Sequence, residues 1–398
     1  MRILYIVPEE FNGKRWGGVT SYTVEYAARL IQIGHAVTIL TPGKQMSQHT
    51  YRRITIVRIP PDATRFRERI VLKILQYISQ SLYSRIAWSF AVRSYVNNSK
   101  FDIVESPEWG SSTLLLRSTP HTNVIVRMHR SWLQYKQDNK LPIVLTDYLI
   151  NIFECLCILK SSAVTSPTIY MLKQHSLLVY MVQRLGKRVR VIRNAVPPYK
   201  SIGGLCTVKG KYILTVGRIE IGKGSVLLAE AFLSIAHRIP RICLVYIGED
   251  TEMYIAGKQQ SCESYIRGLF KLHNRVDQLV ILPRMKRENL YGYYKKCMVY
   301  VAPSRGNENP SMSLLEAISA GACVVASTAG GIPETVATLK NIQLVPEDNV
   351  EALSKSILSA TAVKKNTKRT LSESISFDSQ IEKTERLYLE VHQRALSR

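Results

Sequence analysis

The stretch Met298-Val299-Tyr300-Val301-Ala302-Pro303-Ser304-Arg305-Gly306-Asn307-Glu308-Asn309-Pro310-Ser311-Met312-Ser313-Leu314-Leu315-Glu316-Ala317 runs from a short apolar strand, ending at Ala302, into a helix. Asn309 followed by Pro310 reads as the helix start, because Asn accepts a hydrogen bond from a first-turn amide and Pro fits the first helical position. Gly321 closes the helix. The amides of Ser311, Met312 and Ser313 then lack intrahelical acceptors at the positive end of the helix dipole, which makes an anion site. Glu316 shares a stripe with Met312 and Ser313, and helical side chains lean toward the N-terminus, so its carboxylate points back at that site; Glu308 precedes it. Carboxylates beside a bound diphosphate are repelled unless they serve neutral hydroxyls, so the roles they fit are to accept hydrogen bonds from a ribose and a sugar. A solvated loop acid and a helix acid near a favourable dipole end read equally well on spacing alone.

The same strand-to-helix grammar extends in both directions. Short β-rich runs alternate with helical ones along all 398 residues, the pattern of parallel α/β architecture. Runs at 3–7, 37–40, 54–59, 103–105, 124–127 and 189–192 form one series, with helices such as 20–33 between them. A second series restarts at 212–216 and continues at 242–247, 280–282, 298–302, 323–326 and 342–345. The chain exceeds the size at which one core keeps growing, and Val196-Pro197-Pro198-Tyr199-Lys200-Ser201-Ile202-Gly203-Gly204 is the linker candidate. The expected domains are 1–198, 199–376 and a final helix, 377–398, packing back on the first domain. Ligands of open parallel sheets bind beyond the strands' carboxyl ends, so strand-to-helix turns carry the function. One more such turn is Thr215-Val216-Gly217-Arg218-Ile219-Glu220-Ile221-Gly222-Lys223-Gly224, where the planar fork of Arg and the compact charge of Lys suit a diphosphate and the negative charge growing on a leaving group. On its own this pair also reads as surface charge.

These motifs resemble the retaining glycosyltransferases of family 4, of the "glycosyl transferases group 1" type. The resemblance rests on Gly217-Arg218 with Lys223-Gly224, the Glu308 and Glu316 pair, Leu315-Glu316-Ala317 and Gly330-Gly331-Ile332-Pro333-Glu334. In the first half it continues through Gly17-Gly18-Val19, Asp102-Ile103-Val104-Glu105 and the strand end at His129, and it closes on the helix from Phe377 to Tyr388. It implies the GT-B fold, two Rossmann-like doubly wound α/β domains facing a cleft. It also implies retaining transfer of a hexose-type sugar from a nucleotide-diphosphate-sugar to a glycan or lipid-linked acceptor, in polysaccharide or glycolipid biosynthesis. By the same resemblance Arg218 and Lys223 bind the donor diphosphate and stabilise the leaving group, Glu316 binds the ribose, and Glu308 holds the transferred sugar with the backbone of Asn309, Pro310, Ser311 and Met312. Gly17 and Gly18 bring backbone amides to the donor, and His129 contacts the sugar near its reacting centre. Without the resemblance, the two glycines read as a turn before a helix and His129 as a structural histidine. The turn Glu308-Asn309-Pro310-Ser311 replaces the Gly- and Phe-containing versions common in the family, and Arg193-Asn194-Ala195 replaces Pro-Asn-Gly, so donor-sugar preference is to be sought there. No metal or other cofactor is implied: there is no Asp-x-Asp, and Asp250-Thr251-Glu252 lies outside the matched motifs.

Composition bounds the remaining choices. Apolar residues at 46% and charged ones at 21% exclude a disordered chain. Seven scattered cysteines without metal-ligand spacing imply reduced thiols and a cytoplasmic setting. The start reads as a strand rather than a signal peptide, and no uncharged apolar run reaches the roughly 20 residues of a spanning helix. Lys and Arg number 54 against 30 Asp and Glu, a net charge of +24 that attracts polyanions. Arg65-Phe66-Arg67-Glu68-Arg69 leads into a helix whose Val71, Leu75, Ile78, Leu82, Ile86 and Phe90 form one stripe. That stripe reads either as a peripheral contact with an anionic membrane, reinforced by Arg184, Lys187, Arg188 and Arg190, or as a core face. A nucleotide-sugar epimerase or a phosphorylase of the same fold is the alternative within the class. A nucleic-acid-binding protein would explain the charge but lacks a recognition motif, and a nicotinamide oxidoreductase lacks its Gly-x-Gly-x-x-Gly turn.

Overall fold

β-branched runs buried on both faces, joined by helices, build two separate parallel sheets. The computed structural model describes residues 1–9, 17–61, 66–198, 206–255, 258–336, 339, 342–362 and 376–397. The chain divides into unit 1, Met1–Leu133, Ile143–Ala195 and Phe377–Arg398, and unit 2, Gln134–Pro142 and Val196–Ser376. The division after Ala195 stands three residues before the expected boundary. Residues 134–142, which the chain reaches in the middle of unit 1, pack with unit 2.

Unit 1 contains strands β1 (Arg2–Ile6), β2 (Ala36–Pro42), β3 (Ser47–Tyr51), β4 (Ile54–Ile59), β5 (Ile103–Pro107), β6 (Asn123–Arg127), β7 (Ala163–Ser166) and β8 (Arg188–Val191), in the order β3-β4-β2-β1-β5-β6-β7-β8. All neighbours are parallel except β3, which runs antiparallel to β4 at the edge. Every residue of β5 and β6 is buried, the continuous apolar signature of a parallel sheet covered on both faces. The covering helices are α1 (Gly18–Gln32), α2 (Phe66–Ile78), α3 (Gln80–Asn97), α4 (Trp132–Asp138, shared between the units), α5 (Leu145–Lys160), α6 (Ile169–Gln174) and α7 (Ser176–Arg184). The closing helix of the chain, 377–396, packs on this unit: the Tyr388 hydroxyl donates to Glu105 Oε2 at 2.7 Å and meets the Tyr5 hydroxyl at 2.8 Å.

Unit 2 contains β9 (Lys211–Val216), β10 (Ile242–Ile247), the antiparallel hairpin β11 (Glu252–Ile255) and β12 (Lys258–Ser261), β13 (Leu279–Leu282), β14 (Val299–Ala302), β15 (Val324–Ser327) and β16 (Ile342–Val345). The main sheet is wholly parallel, ordered β13-β10-β9-β14-β15-β16. Its helices are α8 (Ser225–Ile235), α9 (Cys262–Leu272), α10 (Arg287–Lys296), α11 (Met312–Ser319), α12 (Ile332–Val336) and α13 (Val350–Ala362), and the closing helix of unit 1 completes the series as α14 (Phe377–Leu396). One face of the sheet packs Phe232 and Phe270, stacked at 5.8 Å, and the other packs Tyr293 and Tyr294.

The single helix expected after Arg65 is two helices. Ser79 breaks it and caps α3, its Oγ accepting from Leu82 N. Leu82 and Ile86 are buried, and Leu75 and Phe90 pack against the same core, so most of the stripe is a core face. Arg65, the Val71 side chain, linker residues 199–204 and the basic run 364–369 lie outside the described residues.

Candidate active site

In unit 2 the chain builds β9, β10 and β13 in one direction and β14, β15 and β16 in the other, so the order reverses between the neighbouring strands β9 and β14. Open parallel sheets hold their ligands at the carboxyl ends beside such a reversal. The two turns singled out in the sequence follow these two strands. Their backbones are joined where Arg305 N donates to Gly222 O at 3.0 Å.

The side chains converge at that junction. Lys223 closes a single 3-10 turn (Ile221–Lys223) and places Nζ 2.5 Å from Glu308 Oε1. Glu308 is only 5% exposed, so the ion pair sits in a low-dielectric pocket. Arg218 pairs with Glu220 at 3.2 Å and lies over the Tyr135 ring, 5.2 Å from its centroid, leaving its fork half-exposed. Arg218, Lys223 and Ser311 line one small cavity with Gly217 and Pro303.

Helix α11 begins later than expected. Ser311, not Asn309, is the N-cap: its backbone is extended and its Oγ accepts from Leu314 N at 3.2 Å. Pro310 therefore stands before the helix, and Met312 is its first residue. A serine two residues on competes successfully because its hydroxyl also meets Ser313 Oγ at 3.1 Å, itself bonded to the buried Tyr300 hydroxyl. The first-turn amides left without an intrahelical acceptor are thus Met312 and Ser313; the Ser311 amide belongs to the preceding turn. Glu316 is 4% exposed, with Oε2 accepting from the Tyr294 hydroxyl at 3.0 Å and Oε1 3.2 Å from Arg287 Nε.

Glycines set how closely the loops approach. Gly330 has φ +53°, and a Cβ there would stand 2.1 Å from the carbonyl oxygen of Glu308, the atom that accepts from Gly331 N at 2.9 Å. Gly330→Ala must push the Glu308 backbone away, and is expected to cost about 1–3 kcal/mol of stability as well as activity. Gly268→Ala, in α9 with open space around it, should be neutral or slightly stabilising. Urea unfolding of the two variants checks the contrast.

Gly17, Gly18 and His129 belong to unit 1. Gly17 caps α1, and its amide donates to Glu9 Oε2 at 3.1 Å, an oxygen that also accepts from Thr20 Oγ1 at 2.8 Å. A Cβ at Gly17 would stand 2.2 Å from that carboxylate, while Gly18 faces open space. The partner of the Gly17 amide is thus an internal carboxylate. The His129 amide is held by both oxygens of Glu108, at 2.7 and 2.8 Å, and Trp132 N donates to Glu154 Oε2 at 3.0 Å. Burial and then the Arg127 charge push the His129 imidazole down to about 3, so the ring is neutral at ordinary pH. Burial pushes Glu108 up to about 7 and Glu154 up to about 8.

The comparisons follow this division. The family described as Glycosyl transferases group 1 matches residues 206–374, and that described as Glycosyltransferase Family 4 matches residues 16–199. The chain belongs to these glycosyltransferases. No curated protein matches its sequence. Among solved structures it resembles a sucrose-phosphate synthase from Thermosynechococcus elongatus, with TM-score 0.72 and 17% identity over 99% of both chains. It resembles an alpha,alpha-trehalose-phosphate synthase (UDP-forming) from Burkholderia xenovorans in complex with glucose-6-phosphate, with TM-score 0.69 and 10% identity over 98% of this chain and 99% of that one. The catalytic domain of starch synthase IV from Arabidopsis thaliana, bound to ADP and acarbose, gives TM-score 0.67 and 12% identity over 100% and 99%. At these identities the likeness establishes the fold, which is GT-B.

In this glycosyltransferase several residues at the junction escape a motif reading. Asn139 Oδ1 accepts from Gly222 N at 2.9 Å, and both oxygens of Asp138 accept from Asn307 at 3.1 Å. Tyr135 lies under Arg218, and Arg287 and Tyr294 hold Glu316. Only a net excess of hydrogen-bonding side chains around 134–142 marks that segment in the sequence.

Proposed function

We propose that this glycosyltransferase moves a hexose-type sugar, with retention, from a nucleotide-diphosphate-sugar to a glycan or lipid-linked acceptor. The observation that carries the reading is the buried Lys223–Glu308 pair at the strand-order reversal, with Arg218 on the same cavity. Lys223 and Arg218 supply positive charge where a diphosphate leaves. The Met312 and Ser313 amides add the positive end of α11. Glu308, held by its lysine, accepts hydrogen bonds from sugar hydroxyls, and Glu316 on Arg287 and Tyr294 does the same for the ribose. Attack occurs on the face from which the diphosphate leaves: the acceptor oxygen bonds to the anomeric carbon as the bond to the diphosphate oxygen breaks, and the departing diphosphate takes the acceptor's proton. Glu308 is not assigned as a nucleophile, since attack from the leaving-group face needs no covalent intermediate. Two of the similar proteins, the starch synthase bound to ADP and the UDP-forming trehalose-phosphate synthase, support a nucleotide donor.

Lys223 and Arg218 carry the charge stabilisation in this reading, so no metal or cofactor enters the proposal. The test is a thermal-shift screen of UDP-, GDP- and ADP-sugars, followed by turnover of the best donor with and without EDTA and NMR of the product anomer. Retention with activity unchanged by EDTA is expected. Inversion, or activity abolished by EDTA and restored by manganese or magnesium, overturns the mechanism.

A further inference from the structure

Helices α5 and α7 pack on one another and bury their inner faces in one core, through Cys157, Ile158 and Val182. Their outer faces are apolar as well. On α5, Leu145, Tyr148, Leu149, Ile152 and Leu156 are exposed at helical spacing, Leu145 by 78%. On α7, Leu177, Tyr180 and Met181 are exposed, and Leu185 continues the row just past its end. A continuous apolar surface of this kind marks a partner.

Charge identifies the partner. Between residues 143 and 198 the only carboxylates are Asp147 and Glu154, both buried, while Lys173, Arg184, Arg188 and Arg190 are exposed. Glu390 of α14 is the acid that reaches this region, 3.8 Å from Arg188 and 3.5 Å from Arg190. Two copies placed face to face would set these cations against each other. The apolar rows run into a cavity of about 310 Å³ at the amino ends of β6, β7 and β8, the end of the sheet opposite to that carrying His129. Leu185 belongs to both the row and the cavity, and Lys160, Lys187, Arg188 and Arg394 line it. The Asn123 side chain on its wall is 3% exposed, and its Nδ2 has no hydrogen-bond partner. Lys160 and Lys187 each donate to one backbone carbonyl, of Leu114 and Leu159, Arg394 donates to that of Gly186, and Arg188 lies beside Glu390, so each cation has further N–H donors that, with the Asn123 amide, fit an anion.

We propose that unit 1 docks through α5 and α7 on an anionic phospholipid surface, the apolar rows entering the interface and the cavity taking a headgroup phosphate. No helix among the described residues is long and apolar enough to cross a membrane, so the contact lies on the surface. This face is distinct from the helix after Arg65, and the inference does not rest on the transfer reaction, because binding is read without donor or turnover.

The experiment sediments the full chain with vesicles of phosphatidylcholine alone, or of equal parts phosphatidylcholine and phosphatidylglycerol. Binding to the anionic vesicles only is expected. L145S/Y148S/I152S and the charge reversal R188E/R394E should each weaken it by about tenfold or more, while R188K/R394K keeps it. All substituted side chains are exposed, and melting curves exclude misfolding. Vesicle binding that ignores lipid charge or survives the triple substitution overturns the proposal. It is also overturned if millimolar inorganic phosphate stabilises the wild type but not R188E/R394E while no vesicle binds, which makes the cavity a site for free phosphate. A concentration-dependent dimer that L145S/Y148S/I152S dissolves, without vesicle binding, assigns the face to a second copy instead.

Discussion

Lys223→Met is expected to lower kcat/KM by about 10²- to 10³-fold, the loss typical of removing one charge aimed at a developing anion. The structure adds a second consequence. With Nζ 2.5 Å from Glu308 Oε1, the substitution takes the lysine from a carboxylate that is only 5% exposed, at a cost of about 3 kcal/mol in stability. Glu308→Gln removes that charge and should lose comparable activity with little loss of stability. The double variant Lys223→Met/Glu308→Gln should recover the stability of the single glutamine variant yet be no less active than Lys223→Met, because residues acting as a unit are not additive. Steady-state kinetics on the best donor and urea unfolding of all three variants read both axes. Additive losses of activity would mean that the two side chains act independently of their ion pair, and the assignment of Lys223 and Glu308 to one coupled site would fall.

The sequence exposed the βα rhythm because a buried parallel strand is a short apolar run and its helix is long. The runs near 3–7, 103–105, 212–216 and 298–302 all fall on strands. It hid β3, a polar edge strand, and β7, whose four residues abut α5 and merge with it into one apolar run. The turns carrying Arg218, Lys223 and Glu308 were legible because glycine and charge at a strand end have a reason to be there. The local start of α11 was not, since Asn309-Pro310 and Ser311 are both sound caps, and the hydroxyl chain through Ser313 to Tyr300 that favours Ser311 spans two elements. Asp138, Asn139 and Tyr135 were invisible for a similar reason: the chain deposits them in unit 2 from the midst of unit 1, a tertiary fact without local pattern.

Stability should fall as pH rises from about 5 to about 8, and Glu108 and Glu154 are the cause. Burial is the main influence on both, raising Glu108 to about 7 and Glu154 to about 8, and the Glu108 charge further opposes ionisation of Glu154. The hydrogen bonds from the His129 and Trp132 amides and the charges of Arg127 and Arg85 pull in the opposite direction without prevailing. Glu154 Oε1 has no hydrogen-bond partner, as suits a carboxyl holding its proton. Below pH 4.5 both acids are protonated in folded and unfolded chains alike, and the stability is fully present. Above that the unfolded chain releases the protons first, so stability is lost until the folded carboxyls ionise as well. Glu108 alone accounts for about 3 kcal/mol across this window. His129, already neutral, adds nothing to it. Glu154→Gln retains an acceptor for Trp132 N and removes the titration, so its urea midpoint should exceed that of the wild type at pH 8 and match it at pH 5. An unchanged pH slope in Glu154→Gln would show that the carboxylate is ionised at neutral pH. The segment from His129 to Trp132 would then be held by charge, and its geometry would not loosen as Glu154 titrates.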